Sequence, residues 1–192
     1  MPANQDLTDV VKKVFDGDLP SANDISTLLH VEPHSVDAGF IMGCADEINR
    51  ESSKGKAEVH AQIGLNLSPC PNNCAFCAFA AKNRVFNEKN ELGVEIVTEM
   101  AVRAETQGAN AIFLMGTGDY PFEKFIEISK EIRANLNSET VMIANIGDFG
   151  PEEAQQLKDA GYKGIYHAVR MGEGTDTNIR PETRLQTVSN AK

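Results

Sequence analysis

Three of the four cysteines fall within eight residues, in the run Ser68-Pro69-Cys70-Pro71-Asn72-Asn73-Cys74-Ala75-Phe76-Cys77. The spacing is C-x3-C-x2-C, and Cys44 stands apart. In a reducing compartment such cysteines are more often metal ligands or catalytic groups than disulfides, and three thiols pair badly. Thiolates are soft ligands, suited to iron–sulfur clusters and to zinc. A loop this tight can wrap one cubane cluster corner by corner, and three ligands leave the fourth iron without a protein thiolate. An open iron can bind a small molecule, whereas a fully ligated cluster mainly transfers electrons. Structural zinc is closed by four ligands. His60 or Cys44 could be recruited for it, although neither has the spacing of a zinc motif.

Other residues with chemical potential follow hydrophobic runs that read as strands. Parallel α/β folds gather their ligands beyond the carboxyl ends of the strands. Met115-Gly116-Thr117-Gly118-Asp119 offers glycines that let backbone approach a ligand closely, or an ordinary turn. Asp148, after Asn145-Ile146-Gly147, either caps the helix that begins near Pro151 or serves a site. Arg170 is a cation at the mouth of the sheet, able to hold a carboxylate in bidentate fashion or to form a surface ion pair. Glu173 faces substrate or pairs with Arg170, and His167 reads as a core histidine inside a strand.

The elements that position these groups are legible from periodicity. Leu7, Val10, Val11, Val14 and Phe15 recur at helical spacing, with Gly17 as a stop. Ser21 and Asp24 resemble a capping arrangement for a second helix. Val36, Phe40, Ile41, Cys44 and Ile48 mark a third. Val59, Ala61, Ile63, Leu65 and Leu67 then alternate as in a strand. After the cysteines, a helix from Leu92 to Gly108 precedes a strand at Ala111–Met115. A helix through Phe122 and Ile132 precedes a strand at Val141–Ile146. A helix from Pro151 to Gly161 precedes a strand at Ile165–Val169, and Pro181 opens a last helix. This alternation, at intervals of about 25–30 residues, is that of βα units and predicts a parallel sheet, open or barrel-like. The expected division is a helical extension over residues 1–57 and an α/β core over 58–192. Four strands cannot close a barrel of eight, so the chain is expected to be incomplete.

The chain carries 28 carboxylates against 18 Lys and Arg, a formal net charge of −10. That balance argues against sequence-independent nucleic-acid binding and against docking on an anionic membrane. No apolar run approaches the roughly 20 residues that span a bilayer, and no signal peptide is visible, so the default expectation is a cytoplasmic protein.

The cysteine loop, with Phe76 before its last ligand, resembles that of the radical S-adenosylmethionine (radical SAM) enzymes. The helical preface and the run Arg170-Met171-Gly172-Glu173-Gly174 followed by Pro181-Glu182-Thr183-Arg184 are similar to the branch holding biotin synthase, a hydrogenase-maturation enzyme and methylornithine synthase. The resemblance implies a partial (β/α) barrel, apparently truncated after about four strands. It implies a 4Fe–4S cluster on Cys70, Cys74 and Cys77, with S-adenosylmethionine bound at the open iron. Phe76 would lie near the adenine. Thr117, Gly118 and Asp119 would stand where the family binds the methionine amino group, Asp148 where it contacts ribose, and Arg170 where it binds the carboxylate. The implied activity is reductive cleavage to a 5′-deoxyadenosyl radical that takes hydrogen from a small-molecule substrate, with an electron donor such as flavodoxin or ferredoxin. No thiolates for a second cluster follow Cys77. The alternative is a non-catalytic iron–sulfur or electron-transfer module.

Overall fold

The structure, a computed structural model, describes residues 4–192. It divides into two compact units at Ala57/Glu58. The first holds helices α1 (Gln5–Phe15), α2 (Ala22–Leu29) and α3 (Val36–Ser53). α1 buries Leu7 and Val10, and ends at Asp16 before Gly17, whose φ of +91° leaves the helical region. Ser21 and Asp24 form a reciprocal capping box at the start of α2. Asp24 also pairs with Lys13 at 2.7 Å, and these hydrogen bonds, that from Lys13 foremost, bring its carboxyl down to about 2.

The second unit is built on strands β1 (His60–Gly64), β4 (Ala111–Met115), β5 (Val141–Asn145) and β6 (Tyr162–Ile165), adjacent in that order and all parallel. Helices α4 (Val94–Thr106), α5 (Phe122–Asn135) and α6 (Pro151–Asp159) connect them, and α7 (Pro181–Asn190) follows. Side chains alternate across a strand. Ile63, Ile112, Leu114, Met142 and Ala144 are buried in one apolar core with Val97 and Ala101 of α4, Phe125 and Ile132 of α5, and Leu157 of α6. One sheet face is therefore sealed by all three helices. Gln62, Phe113 and Ile143 share a register on the other face and stay partly accessible. Helices on a single face make the unit a partial (β/α) barrel rather than a doubly wound sheet.

Two expected strands are displaced. The run from Val59 to Leu67 is not one strand: β1 stops at Gly64, and β2 (Asn66–Leu67) pairs antiparallel with β3 (Asn90–Glu91). Leu65 still donates to the Met115 carbonyl, but the Asn66 side chain is captured by Thr117, which turns the chain off the sheet. The last strand lies at Tyr162–Ile165 instead of Ile165–Val169. Tyr162 is buried, stacks on Phe125 at 5.7 Å and shares a 2.6 Å hydrogen bond with Ser129. That anchor starts the strand directly after the helix-ending Gly161. His167 consequently sits past the strand end, not within it. Among the described residues, no helix is long and apolar enough to cross a membrane.

Candidate active site at the carboxyl ends of the strands

Register brings Gly64, Met115 and Asn145 side by side at one sheet edge. The loops leaving that edge surround a cavity of about 230 Å³. Cys70, Cys74 and Cys77 line it, together with Arg170, Arg184 and His167. Among the described residues, no Asp or Glu side chain contributes to its wall. A larger cleft of about 490 Å³ runs along β6 and α6, but it contains no thiol.

The cysteine loop is closed at its base. Cys70 N–H donates to the Phe79 carbonyl at 2.7 Å, and Ala81 N–H donates to the Cys70 carbonyl at 3.0 Å. Within it, Cys77 N–H reaches the Cys74 carbonyl, and the Asn83 amide donates to the carbonyls of Ala75 and Cys77. The segment after β6 clasps the loop from outside. Asn178 donates from its backbone to the Asn72 carbonyl (2.9 Å) and from its side chain to that of Pro71 (3.0 Å). Ala75 N–H donates to the Asp176 carbonyl at 2.9 Å. All three loop cysteines are free thiols; Cys70 and Cys74 are buried and Cys77 is half-buried. Burial, then the neighbouring Cys77, pushes the Cys74 thiol up against the pull of Arg170. A coordinating metal supplies the charge that ionises such a thiol. Among the described residues, no three His, Cys, Asp or Glu side chains converge on a point as ligands of one ion do. A polynuclear cluster takes each thiolate on a different iron and has no such requirement.

The loops after β4 and β5 meet backbone to backbone. A Cβ on Gly147 would lie 2.5 Å from the Gly118 carbonyl oxygen, and one on Gly118 would collide with the Asn72 amide. The backbone approach at Gly147 requires glycine, whereas a side chain at Gly118 would have to displace the Asn72 amide. Asn66 fixes the first loop reciprocally: its amide nitrogen donates to Thr117 Oγ1 (2.8 Å) and its oxygen accepts from Thr117 N–H (3.0 Å). Thr117 Oγ1 in turn donates to Asp119 at 2.8 Å. Asp119 thus orients Thr117, and it does not line the cavity.

On the cationic side, Asp148 gathers three partners. His167 Nε2 lies 2.9 Å from one oxygen, Thr187 donates to the same oxygen at 2.9 Å, and Arg184 Nη1 donates to the other at 3.1 Å. Burial works to raise the Asp148 carboxyl, but the bonds from His167 and Thr187 and the Arg184 charge outweigh it and hold the group below its usual range. Burial, aided by the charge of Arg184, keeps His167 below the usual histidine value against the opposing bond to Asp148. A neutral ring facing a carboxylate carries its proton on Nε2, so the 3.2 Å approach of Arg184 to that nitrogen is a contact rather than a donated bond. Glu173, also buried, accepts from the Arg170 backbone at 2.9 Å and pairs with Arg184 Nε at 3.5 Å. It does not pair with the Arg170 side chain, whose guanidinium has no carboxylate partner among the described residues.

Of the residues expected from sequence, the cavity wall brings together Cys70, Cys74, Cys77, Thr117, Gly118 and Arg170. Phe76 is 60% exposed and outside the wall, where Phe79 stands instead. Asp148 is also outside it, with both oxygens engaged. Arg184, His167, Asn66, Asn72 and Asn145 were not foreseen. The run Pro181-Glu182-Thr183-Arg184 held the one usable signal, since Pro181 starts α7 and sets Arg184 in its first turn, facing Glu173 and Asp148.

Comparison with known proteins places this arrangement. The sequence model of the Radical SAM superfamily matches residues 69–191, from the cysteine loop through α7. The chain belongs to the radical SAM superfamily. Among curated radical SAM relatives, the biotin synthase of Desulforudis audaxviator is 26% identical over 194 residues, covering 97% of this chain and 58% of the relative. That of Colwellia psychrerythraea is 30% identical over 165 residues, covering 79% and 46%. The chain thus spans about half the length of these relatives. Among solved structures, HydG, a maturase of the FeFe-hydrogenase, superposes with a TM-score of 0.79 at 17% identity over 97% of this chain and 43% of its own. Methylornithine synthase (PylB) does so with a TM-score of 0.74 at 17% identity over 95% and 55%. These two show that the radical SAM fold is shared.

Proposed function

We propose that the chain holds a 4Fe–4S cluster on Cys70, Cys74 and Cys77 and binds S-adenosylmethionine beside it, as part of a biotin synthase-like radical enzyme acting on a small molecule. When bound, the cluster supplies the electron that breaks the sulfonium C–S bond, giving methionine and a 5′-deoxyadenosyl radical. The observation that carries the reading is a single cavity lined by three thiols and two guanidiniums and by no carboxylate side chain. Such a wall suits an anionic group beside a thiolate-held cluster.

The residues divide the work. The Arg170 guanidinium is free to grip the carboxylate of S-adenosylmethionine. Arg184, fixed by Asp148 and Glu173, adds positive charge without swinging into the cavity. Thr117 and Gly118 present backbone to the amino group, held by Asn66. Asp148 acts through its partners, fixing the His167 ring and Arg184. Phe79 supplies an apolar wall that helps keep water from the reacting bond.

Anaerobic reconstitution tests the reading. The expected product binds about four irons, with a reduced-cluster electron paramagnetic resonance signal that shifts when S-adenosylmethionine is added. A cluster whose spectrum ignores the ligand would make this an iron–sulfur module without the cofactor chemistry. One zinc in place of iron would contradict it outright.

A further inference from the structure

An acidic chain has left one long segment free of acid. Residues 59–87 contain neither Asp nor Glu, although the chain has 28 of them in 192 residues. The same segment carries the three clustered cysteines together with Lys82 and Arg84, and the exposed pair Glu88 and Lys89, of opposite charge, follows just beyond it. Lys82, Arg84 and Lys89 are exposed, and none forms an ion pair among the described residues. The short 3-10 turn at Ala81–Asn83 stands directly on the thiol loop. Lys82 N–H donates to the Asn73 side chain at 2.9 Å, and the Asn83 amide donates to the Cys77 carbonyl at 2.9 Å. Cys77 is also the least buried of the three thiols. The same stretch of chain exposes two apolar side chains, Val85 at 58% and Phe76 at 60%.

We infer that the Phe76–Asn87 surface is the docking face for a small acidic one-electron carrier protein, which passes its electron to the cluster over Cys77. This rests on the proposed cluster. Unpaired surface cations gain little for folding, whereas a local positive field on an acidic protein directs an acidic partner to this face. Transient electron-transfer encounters bury little area and depend on such charge complementarity for their rate. Cys77, the least buried of the three thiols and the one whose carbonyl the Asn83 amide holds, is the one nearest the Ala81–Asn83 turn.

The probe is reduced flavodoxin, an acidic flavoprotein, acting on anaerobically reconstituted protein, with cluster bleaching followed by stopped flow. Lys82→Glu combined with Arg84→Glu is expected to slow reduction tenfold or more at low salt. Added salt is expected to slow the wild type and to leave the variant nearly unchanged. Affinity for oxidised flavodoxin, measured by calorimetry with no electron moving, is expected to weaken in parallel. Lys82→Gln with Arg84→Gln is expected to fall between. Reduced methyl viologen, a small cation, is expected to reduce all three proteins at rates within about twofold or to favour the reversed variant. Equal flavodoxin rates and affinities for wild type and reversed variant would overturn the inference, as would an equal slowing with viologen. Viologen-driven 5′-deoxyadenosine formation reports on the proposed function separately, so the two can fail independently.

Discussion

Replacing Asp148 with Asn removes the charge that neutralises Arg184 while keeping the size of the side chain. Arg184 has a side-chain exposure of only 6%, and after the change its one remaining anionic partner is Glu173 at 3.5 Å. Removing one partner of a fully buried pair costs about 3–5 kcal/mol. Asp148 is 23% exposed at the side chain, so water screens part of the charge, and an asparagine oxygen can still accept from Thr187. Both effects reduce the figure to about 2–3 kcal/mol. For a chain of this size, each kcal/mol moves the melting temperature by about 2–4 °C, so Asp148→Asn is expected to melt about 5–10 °C lower. Circular dichroism under reducing, anaerobic conditions measures this. Asp159→Asn, on an exposed helix end, serves as the reference and is expected to shift by less than about 2 °C. Equal melting of the two variants would refute the claim that Asp148 holds Arg184 and His167 in place.

Arg170→Lys keeps the charge but loses the planar fork, and is expected to weaken S-adenosylmethionine binding about tenfold. Equilibrium dialysis and iron analysis check this, iron content being expected to stay unchanged. Asn178→Ala deletes one clasp bond on the Pro71 carbonyl, worth about 1 kcal/mol, and is expected to speed iron release to a chelator severalfold at unchanged initial iron content. Stability is expected to fall on acidification in two stages. His167 and Asp148 both titrate lower in the folded chain than the ordinary 6.5 and 3.8, so their stabilisation is present above those values and lost as pH drops through them. Melting curves between pH 7.5 and 5.5 are expected to decline less steeply for His167→Gln than for wild type, and parallel declines would contradict this.

Local pattern made much of the molecule legible before its structure. Ala111–Met115 is apolar throughout because it is a central strand, and its limits agree with the expectation. Ser21 and Asp24 announce α2 through a hydrogen-bond pair that spans three residues. The thiol trio is local as well, its three members sharing one loop closed by the Cys70–Phe79 and Ala81–Cys70 backbone bonds. The failures involve groups joined through space. Tyr162 starts β6 because Phe125 and Ser129 receive it, residues more than thirty positions earlier. The later run Ile165–Val169 looks more strand-like but leaves Tyr166 and Val169 exposed. Arg184 joins the site from a helix, through partners at 148 and 173 that no spacing rule connects. Asn66, Asn72 and Asn145 carry no motif, and only the convergence of three loops gives them work. Phe76 is 60% exposed beside Cys77, and Phe79, three residues on, lines the cavity.

The measurement that bears most directly on the account compares wild type with Cys74→Ala after anaerobic reconstitution, reduction and incubation with S-adenosylmethionine, with 5′-deoxyadenosine and bound iron both quantified. The account predicts 5′-deoxyadenosine from the wild type, and loss of both cluster and product in the variant. Full iron in the variant, or undiminished product from it, would contradict the assignment of the cluster to these three thiols.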